Sequence, residues 1–236
     1  MKNFKIWLVI LPLLTTACSD EHTTNVTESS QENYIMKKSD PKPGNSANPY
    51  DLAGSVHNAV LETLDSTDLD SLSIEDVAYL VDSIAIVQTE LAHLPAASSL
   101  STKITKITWL VNDEDAIEDV LDLSPLGNSA QTSLGTFIDS ALLLDDEPYK
   151  DIYSMITGYE ATVLSSAGFT NIEKQIILTT TSIVRYSFYR KKRKDKDWET
   201  NVGNIAATVS GAEEGTVMGL KMAVTVGVCI NNNINQ

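Results

Sequence analysis

Histidine and cysteine side chains are the first candidates for chemistry in this sequence, and both are scarce. The chain has three histidines and two cysteines. His57 and His93 lie on different predicted helices, with no His-Glu-x-x-His pattern and no cysteine partner, so we expect no zinc site. The sequence also has no Gly-x-Ser-x-Gly elbow, which is the usual sign of one large class of serine hydrolases. An unrecognised hydrolase that uses His57 therefore stays open only as the last of three hypotheses, after a binding module and a membrane-active protein.

Two groups of carboxylates could in principle bind a cation. A calcium loop that starts at Asp65 would need an oxygen ligand at its fifth position and a glycine at its sixth, where Leu69 and Asp70 stand. We therefore interpret both groups as acidic, solvated loops at helix ends, and we expect neither a metal nor a cofactor. Their members are Asp65, Asp68, Asp70, Glu75 and Asp76 in the first group, and Asp113, Glu114, Asp115, Glu118 and Asp119 in the second.

The residues that precede Cys18 have the order of a secretory signal. Lys2 and Lys5 are followed by an apolar run at 6–14 and then by small residues. The run is much shorter than the ~20 residues that a membrane-spanning helix needs, so an uncleaved anchor is the weaker interpretation. The pattern predicts a signal peptide over residues 1–17.

The segment Leu14-Thr15-Thr16-Ala17-Cys18 resembles the lipobox of bacterial lipoproteins, although its leucine is displaced by one position. An ordinary cleaved signal with an incidental cysteine is the alternative. The resemblance implies that Cys18 carries acyl chains, palmitate among them. It also implies that Cys18 becomes the mature N-terminus and is anchored in a membrane. Ser19, where an aspartate would favour the inner membrane, implies the outer membrane. The triplet Ser19-Asp20-Glu21 resembles the export tag of Bacteroidetes-type surface lipoproteins, which leaves the periplasmic and the outer face both open.

A basic cluster follows the aromatic residues near position 188 and could contact an anionic partner. Cations at a helix C-terminus interact favourably with the helix dipole, so a solvated helix end is the preferred interpretation. A contact surface for lipid phosphates or an acidic protein is the alternative. The whole chain carries a net charge of −15, which makes nucleic acid an unsuitable partner. The residues of this basic cluster are Arg190, Lys191, Lys192, Arg193 and Lys194.

Small residues recur at every fourth position near the C-terminus. Glycine inside a helix costs roughly 0.8–1 kcal/mol, so such a row needs a compensating close approach of another helix. We expect one glycine-striped helix over about 203–230 that packs in the centre of the molecule. The alternative is a membrane-active helix, because the segment resembles glycine-rich stretches of bacteriocin precursors. The stripe consists of Gly203, Ala207, Gly211, Gly215, Gly219, Ala223 and Gly227.

Helical periodicity and capping signals predict the elements that would position these residues. Residues 19–47 are polar, and we expect a disordered tether over 18–47. A helix should follow Asn48, which can act as its cap, and others should start at Ser73 and at Thr170, each of which begins a capping-box pattern. Further helices are expected over 129–144 and from Pro148. The stretch over about 102–111 fits a strand or a helix, and we interpret it as a helix because no other segment offers it a partner strand. Six or seven helices in one all-α domain, a bundle over 48–236, is the simplest architecture.

The start of this predicted domain resembles that of short Bacteroidetes-type lipoproteins of unknown function. The resemblance lies in Asn48-Pro49-Tyr50-Asp51, in Gly54, in His57-Asn58 and in the glycine-rich C-terminal segment, about a third of the chain. It implies a helical fold and an envelope location but no activity. We therefore expect a lipid-anchored binding or scaffolding module with a protein or glycan partner. A membrane-active protein is the second hypothesis.

Overall fold

Amphipathic helices build the described part of the chain, which covers residues 40–69, 71–113, 115–194 and 202–234 of a computed structural model. These residues form no β-strand, so the predicted all-α bundle is confirmed. The described part contains nine α-helices, where six or seven were expected. They are α1 (Asp51–Leu64), α2 (Ile74–Ile86), α3 (Ile104–Asn112), α4 (Ala116–Leu123), α5 (Asn128–Leu143), α6 (Tyr149–Ser165), α7 (Asn171–Lys194), α8 (Val202–Ala212) and α9 (Thr216–Asn231).

Helix α9 lies in the centre of the bundle. Every residue from Thr216 to Cys229 is buried, and the helix contacts α1, α2, α3, α7 and α8. A helix that is apolar or small on all sides has no face suited to water, which is why the other helices surround it. The central position expected for the glycine-striped segment is therefore observed.

The prediction of one continuous C-terminal helix is wrong, because the chain turns between α8 and α9. The break falls at Glu213-Glu214-Gly215, and Gly215 has a φ of 134°, a conformation that side chains other than glycine rarely adopt. The two helices form a hairpin in which Gly211 lies against Gly219. A Cβ on Gly211 would be 2.7 Å from the carbonyl oxygen of Met218 and 2.8 Å from the Cα of Gly219. The small residues therefore permit a hairpin and do not form one straight row.

Both predicted capping boxes are present. The side chain of Ser73 accepts a hydrogen bond from the backbone N–H of Asp76, whose carboxylate accepts one from the backbone N–H of Ser73. The backbone N–H of Thr170 likewise donates to Glu173, and the backbone N–H of Glu173 donates to the hydroxyl of Thr170. The ambiguous stretch after Thr102 is also helical, as α3.

One helix end and one whole helix differ from the prediction. The helical spacing of apolar residues after Ser73 continues to Leu91, but α2 ends at Ile86, and Leu91 is buried as part of a 3₁₀ helix at Thr89–His93. Helix α4 was not predicted, because its acidic residues were interpreted as a solvated loop and its apolar face is short. Only Ala116 and Val120 are buried in it.

The folded part also begins earlier than residue 48. The phenol of Tyr153 donates to the carbonyl oxygen of Gly44 over 3.0 Å, and the amide of Asn45 donates to Glu160 over 2.6 Å. The last residues of the expected tether are thus attached to α6. The prediction that order begins at residue 48 is therefore too late, because Gly44 and Asn45 have hydrogen-bond partners in α6 that composition alone does not reveal.

Candidate functional site

The imidazole of His57 lies in the interior between α1 and its neighbours, away from any cavity described below. It is fully buried, and its Nδ1 lies 3.2 Å from the side-chain oxygen of Asn58. Among the described residues, its Nε2 has no hydrogen-bond partner. Burial lowers the pKa of His57 to about 4; the Asn58 hydrogen bond opposes this shift and the charge of Arg190 adds to it. A histidine held neutral and out of reach of solvent offers no accessible base.

The other candidates for nucleophilic or metal chemistry are also separate from one another. His93 ends the 3₁₀ helix after α2, while Cys229 is buried in α9. Burial raises the pKa of the Cys229 thiol to about 12, so the reactive thiolate is not formed near neutral pH. The described part of the chain contains no group of three or more histidine, cysteine or carboxylate side chains placed to hold a metal ion.

A buried polar cluster surrounds Arg185. Its guanidinium is fully buried in α7 and donates to Asp51 over 2.6 Å and to Glu160 over 3.2 Å. Burial alone would lower the pKa of Arg185, but the two carboxylates outweigh it and raise that pKa. The cluster joins α1, α6 and α7 at one point, where a buried charge is compensated by two opposite charges.

Three side chains that donate to Glu160 complete this cluster, namely those of Asn45, Asn48 and Thr181. Asn48 donates to Glu160 over 2.8 Å and to the carbonyl oxygen of Leu178 over 2.9 Å. The hydroxyl of Thr181 donates to Glu160 over 2.9 Å. The cap expected from Asn48 is corrected, because α1 begins at Asp51 and its N-cap residue is Tyr50. The side-chain oxygen of Asn48 accepts from the backbone N–H of Tyr50 over 2.8 Å, while its nitrogen donates to the buried carboxylate. With its carboxylate oxygens occupied, the cluster is suited to holding helices together and not to catalysis.

The basic cluster at the end of α7 is compensated within the protein. Arg190 donates to Asp65 over 2.5 Å and Lys191 to Asp145 over 2.6 Å. Lys192 donates to the carbonyl oxygen of Asp145. Arg193 pairs with Glu62. Because these side chains already face acids or carbonyls, the cluster is less available to an anionic partner than its sequence suggests. The side chain of Lys194 lies outside the described residues.

The glycine stripe is part of the core. Gly203, Ala207, Gly211, Gly219, Ala223 and Gly227 are buried in α8 and α9, while Gly215 forms the turn between them. In the part of the chain that the structure describes, no helix has both the length and the apolar character needed to cross a bilayer.

A cleft of about 830 Å³ lies beside the end of α2 and is lined largely by residues between positions 87 and 99. We call residues 87–99 the strap and this cavity the strap cleft. Its rim includes Ile86, which is 85% exposed, and Val87, which is 70% exposed. Most of the lining is apolar, and it consists of Asp82, Ser83, Ala85, Ile86, Val87, Gln88, Thr89, Leu91, Ala92, Leu94, Pro95, Ala96, Ala97, Ser99, Val217 and Lys221.

A buried ion pair forms part of the strap cleft. The ammonium of Lys221, which is 6% exposed, lies 2.6 Å from Asp82 and donates to the carbonyl oxygen of Ser98 over 2.8 Å. The second oxygen of Asp82 accepts from the hydroxyl of Ser99 over 2.7 Å and from the backbone N–H of Leu100 over 2.8 Å. These bonds fix the end of the strap onto α2 and α9, which makes the cleft a preformed cavity.

Sequence reasoning missed the strap cleft. No role was assigned to Lys221 or to Asp82 from the sequence. A lysine within an otherwise apolar helix was the available signal, because a buried ammonium requires an acidic partner. The sequence could not show which of its many acids this partner is.

A second, shallower groove of about 720 Å³ lies between α5 and α6. It is rich in hydroxyl groups, and neither this groove nor the strap cleft is lined by His57 or His93.

Comparison of the chain with protein-family models, with curated proteins and with solved structures finds no match.

Proposed function

We propose that this chain is a lipid-anchored protein of the bacterial outer membrane, of the Bacteroidetes lipoprotein type, whose helical domain is a binding module. We further propose that the strap cleft is its ligand site. The observation that carries the proposal is the combination of apolar walls with one buried, paired ammonium. Ligand sites in proteins are typically apolar cavities of ~300–1,000 Å³ with a few polar groups that orient the ligand.

The lining indicates an amphiphilic ligand with an apolar chain and an oxygen-bearing end. Contact with the apolar walls stabilises such a chain by about 25 cal/mol per Å² removed from water. An ammonium group has three N–H donors. Lys221 donates one of them to the carbonyl oxygen of Ser98 and forms an ion pair with Asp82. A further N–H donor of this ammonium is the group that would donate to the end of the ligand.

Binding is favoured over membrane activity by the position of the glycine-rich segment. A membrane-active function would require α8 and α9 to leave the core, which would expose the apolar interiors of the surrounding helices. Binding is also favoured over catalysis, because neither His57 nor His93 lines the strap cleft. The lipid anchor itself rests on the residues around Cys18.

Exposed rim residues allow the ligand site to be tested without unfolding the protein. We expect dodecanoate, kept below its micelle-forming concentration, to bind the chain from residue 19 onward in isothermal titration calorimetry. Ile86→Asp should weaken this binding about tenfold, which corresponds to about 1.4 kcal/mol, because it replaces an apolar contact with a negative charge beside the ligand.

Leu143→Asp is the matched control, because Leu143 is also 85% exposed but does not line the strap cleft. Equal weakening by both substitutions would show that dodecanoate binds non-specifically. Absence of binding to the unsubstituted chain would refute the proposed ligand class.

A further inference from the structure

The groove between α5 and α6 is lined entirely by uncharged side chains, in a protein of which 21% of the residues are charged. We call it the hydroxyl groove. A charged ligand would find no opposite charge in this lining, so the composition favours a neutral ligand. Its members are Asn128, Ser129, Thr132, Ser133, Thr136, Phe137, Ser140, Met155 and Tyr159.

Helix periodicity places the hydroxyl groups along one face of α5. Positions 132, 136 and 140 are four residues apart, and so are 129 and 133, which places the five hydroxyl groups in two neighbouring rows on one face of α5. The hydroxyl of Thr136 donates to the carbonyl oxygen of Thr132 over 2.9 Å, and that of Ser140 donates to the carbonyl oxygen of Thr136 over 2.7 Å. Since their donors are used within the helix, these two oxygens present acceptor positions to the groove.

Helix α6 adds an aromatic surface to this face. The ring of Tyr159 is half-buried and stacks on Phe137 with a centroid distance of 4.5 Å and an interplanar angle of 12°. The phenol oxygen of Tyr159 lies 2.9 Å from the hydroxyl oxygen of Ser133. This bond fixes the ring against α5. The groove therefore combines a positioned aromatic ring with a line of hydroxyl and amide groups.

Neutral sugars match this combination. Their hydroxyl groups both donate and accept hydrogen bonds, as the groups of α5 and the amide of Asn128 do. Their C–H faces are apolar and can lie against an aromatic ring. From these matches we infer that the hydroxyl groove is a binding site for neutral oligosaccharides, separate from the strap cleft. A sugar bound here would be held by several weak contacts spread along α5.

The inference is tested by titrating the isotopically labelled chain from residue 19 onward with three neutral hexasaccharides, a β-1,4-glucan, an α-1,4-glucan and a β-1,4-mannan. A hexagalacturonate serves as the charged comparison. We expect at least one neutral sugar to shift the NMR signals of Thr132, Thr136 and Tyr159, and the acidic sugar to leave them unchanged. Thr136→Val should weaken the binding of that sugar about tenfold, because it removes a hydrogen-bond acceptor at nearly constant shape.

Thr162→Val is the matched control. Thr162 is also an exposed threonine whose hydroxyl donates to a carbonyl oxygen four residues earlier, that of Gly158, but it does not line the groove. The inference is overturned if none of the three neutral sugars binds, if the acidic sugar binds as well, or if both substitutions weaken binding equally. None of these outcomes affects the strap cleft, because dodecanoate binding is measured separately on Ile86→Asp.

Discussion

Three buried cations in the described residues each lie against an acid from an early part of the chain. Arg185 pairs with Asp51, the first residue of α1, and Arg190 pairs with Asp65, which follows the last residue of α1. Both pairs therefore join α7 to α1. Lys221 pairs with Asp82 and joins α9 to α2. A buried charge that loses its partner typically costs about 3–5 kcal/mol, so each pair fixes which helices must be neighbours.

These pairings could not be predicted at the level of single residues. The sequence shows Asp51 beside a predicted helix start, which favours a dipole or capping role. Its guanidinium partner lies 134 positions later. Local spacing identifies contacts within a helix but carries no information about which distant side chain meets it. The lysine and arginine cluster was predicted correctly as the end of α7, whereas its acidic partners were not.

His57 makes the stability of the protein depend on pH in a defined window. Its pKa is about 4 in the folded protein and 6.5 in the unfolded chain, so between these values only the unfolded chain binds the proton. We therefore expect the free energy of unfolding to fall by about 3 kcal/mol from pH 6.5 to pH 4 through this residue, and not to change through it above that window.

Chemical denaturation of the chain from residue 19 onward at pH 7 and at pH 4 measures the effect. Carboxylates also titrate at low pH, so the comparison is made with His57→Leu, which keeps them. The variant should lose about 3 kcal/mol less than the unsubstituted chain across this range. Equal losses in both proteins would mean that His57 is protonated in the folded state.

At the scale of elements, the C-terminal hairpin shows both the strength and the limit of the sequence pattern. The four-residue spacing of small residues correctly indicated a buried helical segment. It continues through Glu213, Glu214 and Gly215, so it gave no sign of a turn there. The turn could have been inferred from two adjacent carboxylates next to a glycine, a combination that suits a solvent-exposed loop. The opposite error was made at α4, where carboxylates that belong to a helix were interpreted as a loop.

Close packing of the hairpin predicts opposite effects for two glycine-to-alanine substitutions. Gly211→Ala places a methyl group 2.7 Å from a backbone oxygen of α9. We expect it to lower the free energy of unfolding by about 1–2 kcal/mol, because the overpacking exceeds the gain in helix propensity. Gly158→Ala in α6 should instead raise it by roughly 0.8–1 kcal/mol. A Cβ at Gly158 would meet no atom within 4 Å.

Thermal or denaturant unfolding of the two variants gives the comparison directly. Stabilisation by both substitutions would show that α8 and α9 can separate at little cost, and it would favour the membrane-active hypothesis. Destabilisation by both would mean that the effect does not come from the hairpin.

At the scale of the whole molecule, membrane attachment is expected to depend on one atom, the sulfur of Cys18. Cys18→Ser should abolish acylation and move the protein from the membrane fraction to the soluble fraction, since stable anchoring requires more than one acyl chain. Fractionation and intact-mass measurement in the native host check this. A mature protein that begins at any residue other than an acylated Cys18 would contradict it.

The fold class follows from the sequence because helical periodicity is a local property, repeated in segment after segment. The strap cleft and the hydroxyl groove do not, because each is formed by residues from separate elements. The cleft combines α2, the strap and α9, and the groove combines α5 and α6. Their existence depends on the packing of the whole bundle.

The contacts of Gly44, Asn45 and Asn48 would have a mechanical consequence if the protein is anchored at Cys18 as proposed. A pulling force applied at residue 40 would reach the bundle at these residues. It would be carried through their hydrogen bonds to Tyr153, Glu160 and Leu178, in the interiors of α6 and α7. The load would thus shear several bonds at once, next to the Arg185 cluster, before α1 could be peeled from the bundle. Resistance to pulling would therefore be set at this junction, and not by the overall stability of the domain.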